Sequence, residues 1–401
     1  MKNKPINPLI LTLLVIVTIA SNTFVCADDY KTPTSFLNLN AFSSNYITPL
    51  SSKSTLSSKK TLSSNELIES ENFYISPLQI RTADYKNFKF SFNMGNPSEL
   101  TELWKNTLTQ SSSEDYSLKT IELNPSTSYQ VNDQFSIGGG LRMIYAKGKV
   151  KSNPGELTNL ASMRSSQVPG ISAANNETPA AHDMGGDTIS YGYNLAITYQ
   201  PTHELAVGLS YRSNVDLDVE SNSKLYTNSQ TIHSNGASVS VHMPASLNLA
   251  FAYNIMEKTT VEFILERTLW SRYESLDFNN STSIHPMLVS SFDDPNTTSW
   301  NDANTYRLGL SHHYSKQLKF MFGYARDEAP VPNDTLAYEL TGSDGNLYSA
   351  GFEYKFNDAQ SIGMSYLYLT RAPVNVSNST VGDTFTNTKA FLATIAYKHA
   401  F

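Results

Sequence analysis

The sequence has 401 residues, a formal net charge of −7 at neutral pH and one cysteine, Cys26. The acidic balance argues against a nucleic-acid-binding protein, which needs a basic surface, and a lone cysteine excludes an internal disulfide framework. Charged residues make up 16% of the chain and there are 23 Tyr, whereas soluble domains carry roughly 25% charged residues.

The first 27 residues have the pattern of a secretory signal peptide. Lys2 and Lys4 precede an apolar run from Leu9 to Ala20, and small or polar residues lead to Ala27. The apolar run is too short to span a bilayer. Cleavage after Ala27 is therefore predicted, with lipid modification of Cys26 as the alternative.

The mature N-terminus is short. Residues 28–34 come before a first predicted strand at 35–48, and a Ser/Lys/Thr-rich stretch at 50–64 is predicted to be a loop. Two more strands are predicted at 72–80 and 86–95. The second ends in Gly95-Asn96-Pro97, where a strand is expected to bend because proline cannot donate to the hydrogen-bond ladder.

The loop predicted at 98–113 contains a possible short amphipathic helix, on which Leu100, Leu103, Trp104 and Leu108 recur at helical spacing. A second long segment, 151–186, shows no strand alternation and contains Met163. Apolar residues on exposed loops are costly unless they cover one another or bind something. Both loops are therefore candidates for an apolar capture groove, with mutual packing as the alternative.

The stretch from Leu118 to Val150 gives the clearest structural prediction. Apolar and polar residues alternate on both sides of Asn132-Asp133, where a tight turn is expected. This is the pattern of a hairpin with one apolar and one polar face. The polar face carries Glu122 and Arg142.

Similar hairpins recur to the end of the chain. The further predicted strands are 188–200, 204–222, 237–254, 259–276, 303–315, 318–327, 347–356, 360–371 and 388–401. About 14 strands result, with short turns alternating with long polar loops, as in outer-membrane barrels. The sequence therefore predicts an all-β protein, a transmembrane antiparallel β-barrel spanning 35–401.

Several segments resemble, in the same order, the FadL-type outer-membrane long-chain fatty-acid transporters. They begin with ELNPSTSYQVNDQFSIGGGL and continue through YGYNLAITYQPTHELAVGLSYRSNV, MPASLNLAFAYN, LERTLWSRYESLDF, YRLGLSHHYSKQLKFMFGYARDEAPVP and SAGFEYKFNDAQSIGMSYLY. The resemblance implies passive uptake of long-chain fatty acids or similar hydrophobic compounds across the outer membrane of a Gram-negative bacterium. Capture at outer loops, binding inside the barrel and lateral exit beside a kinked strand would follow, with Gly95-Asn96-Pro97 at the kink.

The same resemblance also implies a form for the N-terminus and a set of partners. The family has an N-terminal hatch of some tens of residues, which here would be reduced to 28–34 or replaced by 28–47 in another form. The terminal aromatic Phe401 resembles the signal read by the barrel assembly machinery. The expected partners are a hydrophobic small molecule, outer-membrane lipid and that machinery; nucleic acid, a cofactor and a metal are not expected, and the chain is expected to be a monomer.

Several charged residues should point inward if the apolar faces of the strands contact lipid. They are Glu122, Arg142, Arg212, Glu262, Glu266, Arg307 and Glu353. The arginines Arg142, Arg212 and Arg307 could each bind a fatty-acid carboxylate through a guanidinium fork, or could belong to an ion-paired wall. Small inward residues such as Gly140 and Gly192 would leave room for a substrate or allow curvature.

Two other classes of function stay open. A general porin or structural barrel is favoured if the short N-terminus leaves the lumen open. A barrel enzyme is disfavoured, because Ser311, His312 and His313 are adjacent on a strand and cannot form a relay. His182, Asp183 and Asp187 lie close together on a predicted loop, where solvation is more usual than a metal site.

Overall fold

The computed structural model describes residues 12–18, 78–81, 85–95, 99–103, 115–151, 181–226, 231–272, 275–279, 296–297, 299–335, 343–358, 360–375, 384–385 and 388–400. The strands are β1 Thr12–Thr18, β2 Leu78–Arg81, β3 Phe88–Gly95, β4 Glu99–Leu103, β5 Asp115–Gln130, β6 Phe135–Lys151, β7 Ala181–Tyr199, β8 Leu205–Arg212, β9 Val215–Tyr226, β10 Thr231–Met243, β11 Ser246–Met256, β12 Thr259–Thr268, β13 Ser275–Asn279, β14 Asn296–Thr297, β15 Ala303–His313, β16 Leu318–Asp327, β17 Gly345–Lys355, β18 Gln360–Arg371, β19 Val374–Asn375, β20 Thr384–Phe385 and β21 Thr388–Ala400. A 3₁₀ turn lies at Trp270–Arg272. Within these ranges, no helix has the length and apolar character needed to cross a membrane.

Nineteen strand segments form one antiparallel sheet, and β19 pairs separately with β20. Five pairs of segments continue one another along the sheet: β3 with β4, β8 with β9, β10 with β11, β12 with β13 and β14 with β15. Counted in this way, 13 strands follow one another from β2 to β21 in the described part of the chain. The predicted all-β architecture is confirmed, while the predicted strand at 35–48 lies outside the described residues.

Strand β1 lies within the predicted signal peptide. It pairs with β21 from Thr12↔Ala400 to Thr18↔Thr394 and lies beside β2. If residues 1–27 are removed on export, this pairing belongs to the precursor only.

The turns between neighbouring strands follow the predicted sequence signals. At the β5–β6 turn, the side-chain oxygen of Asn132 accepts hydrogen bonds from the backbone amides of Gln134 (2.9 Å) and Phe135 (2.8 Å). At the β7–β8 turn, Thr202 Oγ1 accepts from the amides of Glu204 and Leu205. These local bonds replace ladder bonds at the chain reversal and fix the register of each hairpin.

The two faces of the sheet differ in the way that the alternation predicts. Large apolar side chains of one parity are exposed, among them Leu141, Tyr191, Leu195, Phe251, Leu308 and Phe322. Side chains of the other parity are buried and largely polar, among them Asn124, Ser126, Ser128, Asn194 and Ser210. The apolar face suits contact with lipid and the polar face forms the inner wall.

Two parts of the fold correct the predictions. Glu99–Leu103 is strand β4, paired with Asp115–Lys119, and is not the predicted helix. Glu and Leu favour helices weakly, and the ladder with β5 outweighs that preference. Strand β7 begins at Ala181, so His182, Asp183 and Asp187 lie on a strand and not on a loop.

Several strands are interrupted at the same level of the wall. Strand β7 pairs with β8 up to Asn194↔Arg212 and with β9 from Asp187↔Glu220. Between these two pairs β7 advances by seven residues and its partner by eight, so one extra residue is inserted at Ser213-Asn214. The neighbouring strand breaks at Pro244-Ala245, between β10 and β11. Such bulges bend a strand and shift which residues face inward.

Beyond these breaks the wall reverses its polarity. We call this part, made of β9, β10 and the ends of β5, β6 and β7 on the same side, the outer segment. Its inward side chains are apolar and buried: Leu118, Ile144, Ala146, Met184, Val215, Leu217, Val219, Val239, Val241 and Met243. Its outward side chains include the exposed acids Asp216, Asp218 and Glu220. An exterior of this kind suits water or lipid headgroups and not hydrocarbon.

Candidate functional site

The inner wall carries a layer of charged side chains just below the outer segment. We call it the charged layer and define it as Glu122 on β5, Arg142 on β6, Arg212 on β8, Glu262 and Glu266 on β12, and Arg307 on β15. The prediction that these six residues point inward agrees with their burial, since five of them are 1–5% exposed and the Arg307 side chain is 20% exposed. Glu353, also predicted to point inward, is partly buried and accepts a hydrogen bond from Ser361 (2.8 Å).

Glu122 is shared by two arginines. Its Oε2 atom accepts from Arg142 Nε at 3.1 Å and from Arg212 Nη2 at 2.5 Å, and Arg142 Nη2 lies at 3.0 Å. Ions in a buried site must be paired and hydrogen-bonded to offset their lost hydration. One carboxylate facing two guanidinium groups leaves this triad with a net positive charge.

The bulge beside β8 explains why Arg142 is held so firmly. Arg142 Nη1 donates to the carbonyl oxygen of Ser213 at 2.7 Å, and Ser213 lies in the break between β8 and β9 where one extra residue is inserted. Arg142 therefore bonds Glu122 on one side and the backbone on the other. Its side chain is 1% exposed, so it is built into the wall.

Arg307 and Glu266 form a second pair in the charged layer. Arg307 Nη1 donates to Glu266 Oε2 at 2.7 Å, and the Glu266 side chain is 2% exposed. Glu262, four residues earlier on the same face of β12, lies opposite Gly309. The pair joins β12 to β15 on the inner surface.

Unpartnered polar atoms collect beside the triad. Among the described residues, the buried atoms without a hydrogen-bond partner include Arg212 Nη1, Ser246 Oγ, Asn248 Nδ2 and Oδ1, Asn194 Oδ1 and Glu122 Oε1. Arg212 is the register partner of Asn194 on β7 and of Ser246 on β11. A buried polar group without a partner is expensive, so these neighbouring atoms mark a place built for a polar guest or for water.

The glycines of this wall serve close approach of strands. A Cβ atom on Gly186 would lie 1.9 Å from the backbone oxygen of Glu220, and one on Gly192 would lie 2.7 Å from Ser213 Oγ and Val215 Cγ2. A Cβ atom on Gly140 would lie 2.5 Å from Asn194 Oδ1. The space above these glycines is already occupied, so they leave no room for a substrate.

The predicted kink coincides with a break in the ladder. Gly95 pairs with Glu122, and Glu99 pairs with Lys119. Between these two pairs the chain advances by four residues from β3 to β4 but by only three residues on β5, so the β3–β4 side has one residue more. The intervening 96–98, including Asn96 and Pro97, lie outside the described residues. One extra residue in a strand is the signature of a bulge.

The predicted capture loops are described only in part. Leu100 and Leu103 lie on β4, opposite Leu118 and Asp115 of β5. Trp104, Leu108 and Met163 lie outside the described residues. Their role in ligand capture stays a prediction.

The histidines agree with a wall role. His312 is exposed on the outward face, where Nδ1 lies 2.9 Å from Thr259 Oγ1, while Ser311 is buried on the opposite face. Over the described ranges, no group of three or more His, Cys, Asp or Glu is arranged to hold a metal ion.

Comparison with known proteins decides the family. The model of the outer membrane protein transport protein family (OMPP1/FadL/TodX) matches residues 35–401. The chain belongs to this family. Members of the OMPP1/FadL/TodX family are outer-membrane transport proteins of Gram-negative bacteria and not enzymes, so the predicted fold class, localisation and non-enzymatic nature are confirmed.

Curated relatives of the family share about a quarter of the residues. The long-chain fatty acid transport protein of Escherichia coli O6:H1 is 26% identical over 71% of this chain and 67% of its own length. That of Salmonella typhi is 25% identical over 64% and 61%. Outer membrane protein P1 of Haemophilus influenzae is 25% identical over 66% and 59%. The chain thus spans about 59–67% of the length of these relatives.

Solved structures agree on the fold. A Pseudomonas aeruginosa FadL homologue superimposes with a TM-score of 0.66 at 18% identity, covering 81% of this chain and 77% of its own. The Pseudomonas putida toluene transporter TodX gives 0.58 at 16% identity, covering 84% and 85%. At these identities the likeness carries the fold of the family and leaves the substrate open.

Proposed function

We propose that this chain takes up long-chain fatty acids or similar hydrophobic compounds passively, by capture at the outer loops, binding within the barrel and lateral exit through the wall. Family membership and the names of the relatives, which include a fatty acid transport protein and a toluene transporter, support this class of substrate. Such compounds partition out of water, so a dry path serves them better than an aqueous channel.

The burial of the charged layer is the observation that carries the proposal. Side chains that line a water-filled pore are solvated, whereas Glu122, Arg142, Arg212 and Glu266 are only 1–3% exposed. Their charges are matched with one another across the wall instead of with water. An interior packed in this way favours a transporter over the general porin.

The outer segment has an apolar interior above the charged layer. Leu118, Ile144, Leu217 and Val219 are 0–2% exposed on the inward face, and Val215 lies beside Gly192 next to Arg142. An acyl chain entering from the loops would meet apolar side chains first and charged groups second. This order suits a molecule with an apolar tail and a polar end.

The break between β3 and β4 supports a lateral exit. A straight ladder would close the wall with continuous hydrogen bonds, while an extra residue leaves unpaired groups and bends the strand. The break lies beside Glu122, at the level of the charged layer. A hydrophobic molecule released there would reach the membrane without crossing water.

Uptake by cells that lack their own transporter tests the proposal. Cells producing this protein should accumulate radiolabelled oleate or toluene faster than cells with an empty vector, because a dry route helps only solutes that leave water. Uptake of a small sugar, measured in parallel, should stay unchanged. Faster sugar uptake with unchanged oleate and toluene would instead identify a porin.

A further inference from the structure

We infer that Arg212, Ser246 and Asn248 form a subsite for a carboxylate, so that the protein prefers fatty acids to neutral hydrocarbons. The inference rests on the proposed function and names the substrate class. It also selects one of the three predicted arginines, since Arg212 has a buried terminal nitrogen, Nη1, without a partner. Arg142 is fully bonded to Glu122 and to the Ser213 carbonyl, and Arg307 bonds Glu266.

The three side chains share one small area of the inner wall. Ser246 is the register partner of Arg212 across β8 and β11, and Asn248 follows two residues later on the same face. Directly opposed residues of antiparallel strands have Cβ atoms about 4.5–5.5 Å apart, with diagonal neighbours within reach of long side chains. Their exposures are 3%, 1% and 1% respectively.

The unpartnered atoms offer the donors that a carboxylate needs. Arg212 Nη1 has N–H groups to donate, Ser246 has a hydroxyl and Asn248 has a side-chain amide, and each of these atoms lacks a partner. A carboxylate accepts through both oxygens and bonds to charged donors most strongly. A neutral hydrocarbon would leave all three donors buried and unpaired, which is a penalty against that ligand class.

The charge balance of the Glu122–Arg142–Arg212 triad also suits an anion. Glu122 faces both Arg142 and Arg212, so the triad carries one positive charge in excess. The nearest acid along β12, Glu266, is the register partner of Asn248 and is itself bonded to Arg307. Glu122 Oε1 and Asn194 Oδ1 remain as acceptors, and bridging water molecules could satisfy them beside the guest.

Variants that spare the Arg212–Glu122 pair test this subsite without breaking the wall. The double variant Ser246→Ala with Asn248→Leu removes unpartnered groups only, so its folding should match the wild type. Affinities for oleate and for methyl oleate would be measured with purified protein in a non-lipidic detergent above pH 8. The double variant should bind oleate about tenfold or more weakly, the scale of a hydrogen bond to a charged group, while methyl oleate should bind as before.

A matched control is Ser349→Ala, which removes another buried hydroxyl without a partner, on β17. This variant should leave both affinities unchanged. If the double variant binds oleate as well as the wild type does, the unpartnered atoms hold only water and the subsite is wrong. If the wild type binds neither probe, the proposed function fails first. If it binds methyl oleate as tightly as oleate, only the carboxylate subsite fails.

Discussion

Uptake of oleate is expected to fall to the background level when the break between β3 and β4 is repaired. The variant deletes Pro97 and changes Asn96→Thr, which removes the extra residue between the Gly95↔Glu122 and Glu99↔Lys119 pairs. Thr favours strands, and without proline each residue can donate to the ladder. A continuous wall would close the lateral exit, so a bound molecule would have no dry route to the membrane.

The control for this variant is Pro244→Val, which alters a different strand break, between β10 and β11. It should transport normally if only the β3–β4 break is an exit. Deletion of Asp28–Lys31 should change uptake only modestly, because the predicted N-terminal segment 28–34 would be too short to fill a barrel. Normal transport by the repaired variant, together with loss of uptake after the N-terminal deletion, would make the N-terminus the gate and the lateral route wrong.

Substitution of Gly186 by Ala is expected to prevent the barrel from folding. The new Cβ atom would lie 1.9 Å from the Glu220 carbonyl oxygen and 2.9 Å from its carbonyl carbon. These are backbone atoms in the ladder of β7 with β9, so neither strand can move aside without losing its pairing. Overpacking against backbone is among the most damaging single changes, and a loss above about 4 kcal/mol is expected.

Migration of unheated and heated protein on a semi-native gel would measure this effect, because folded barrels resist denaturation at room temperature. Gly185→Ala is the matched control, since a Cβ atom there would meet its nearest neighbour, the Gly148 carbonyl oxygen, at an ordinary 3.7 Å. It should fold like the wild type. Equal folding of both variants would show that β7 and β9 are not packed this closely.

Most of the wall could be predicted from alternation alone. Strands such as β5 and β6 have ten or so alternating residues on either side of a clear turn, and their bounds differ little from the prediction. Inward placement of Arg142 and Arg212 followed from the same parity. The polar face of a barrel strand has to point away from lipid, so periodicity and the membrane together fix the orientation.

The interruptions of the strands were harder to predict, because a bulge shifts the alternation of polar and apolar residues by only one position. The predicted strand 204–222 is split by Ser213-Asn214 into β8 and β9, and 237–254 is split by Pro244-Ala245. Within a single strand, a one-residue shift of this alternation cannot be told from an ordinary irregularity of the sequence. Pro244 was the available signal, since proline within a strand marks an edge or a bulge.

The site itself depended on contacts between strands far apart in the chain. Glu122 and Arg212 are 90 residues apart and meet through β6 and β7. Periodicity placed both residues inward but could not pair them. Ser246 and Asn248 were not predicted as site residues, because small polar residues on an inward face look like any barrel wall.

Planar-bilayer recording of the purified protein, with oleate affinity measured on the same preparation, tests the transporter assignment most directly. The packed charged layer predicts binding of oleate and no steady ion conductance, because its buried side chains pair with one another instead of facing water. A steady, salt-dependent conductance from protein that does not bind oleate would contradict the account and identify a general porin.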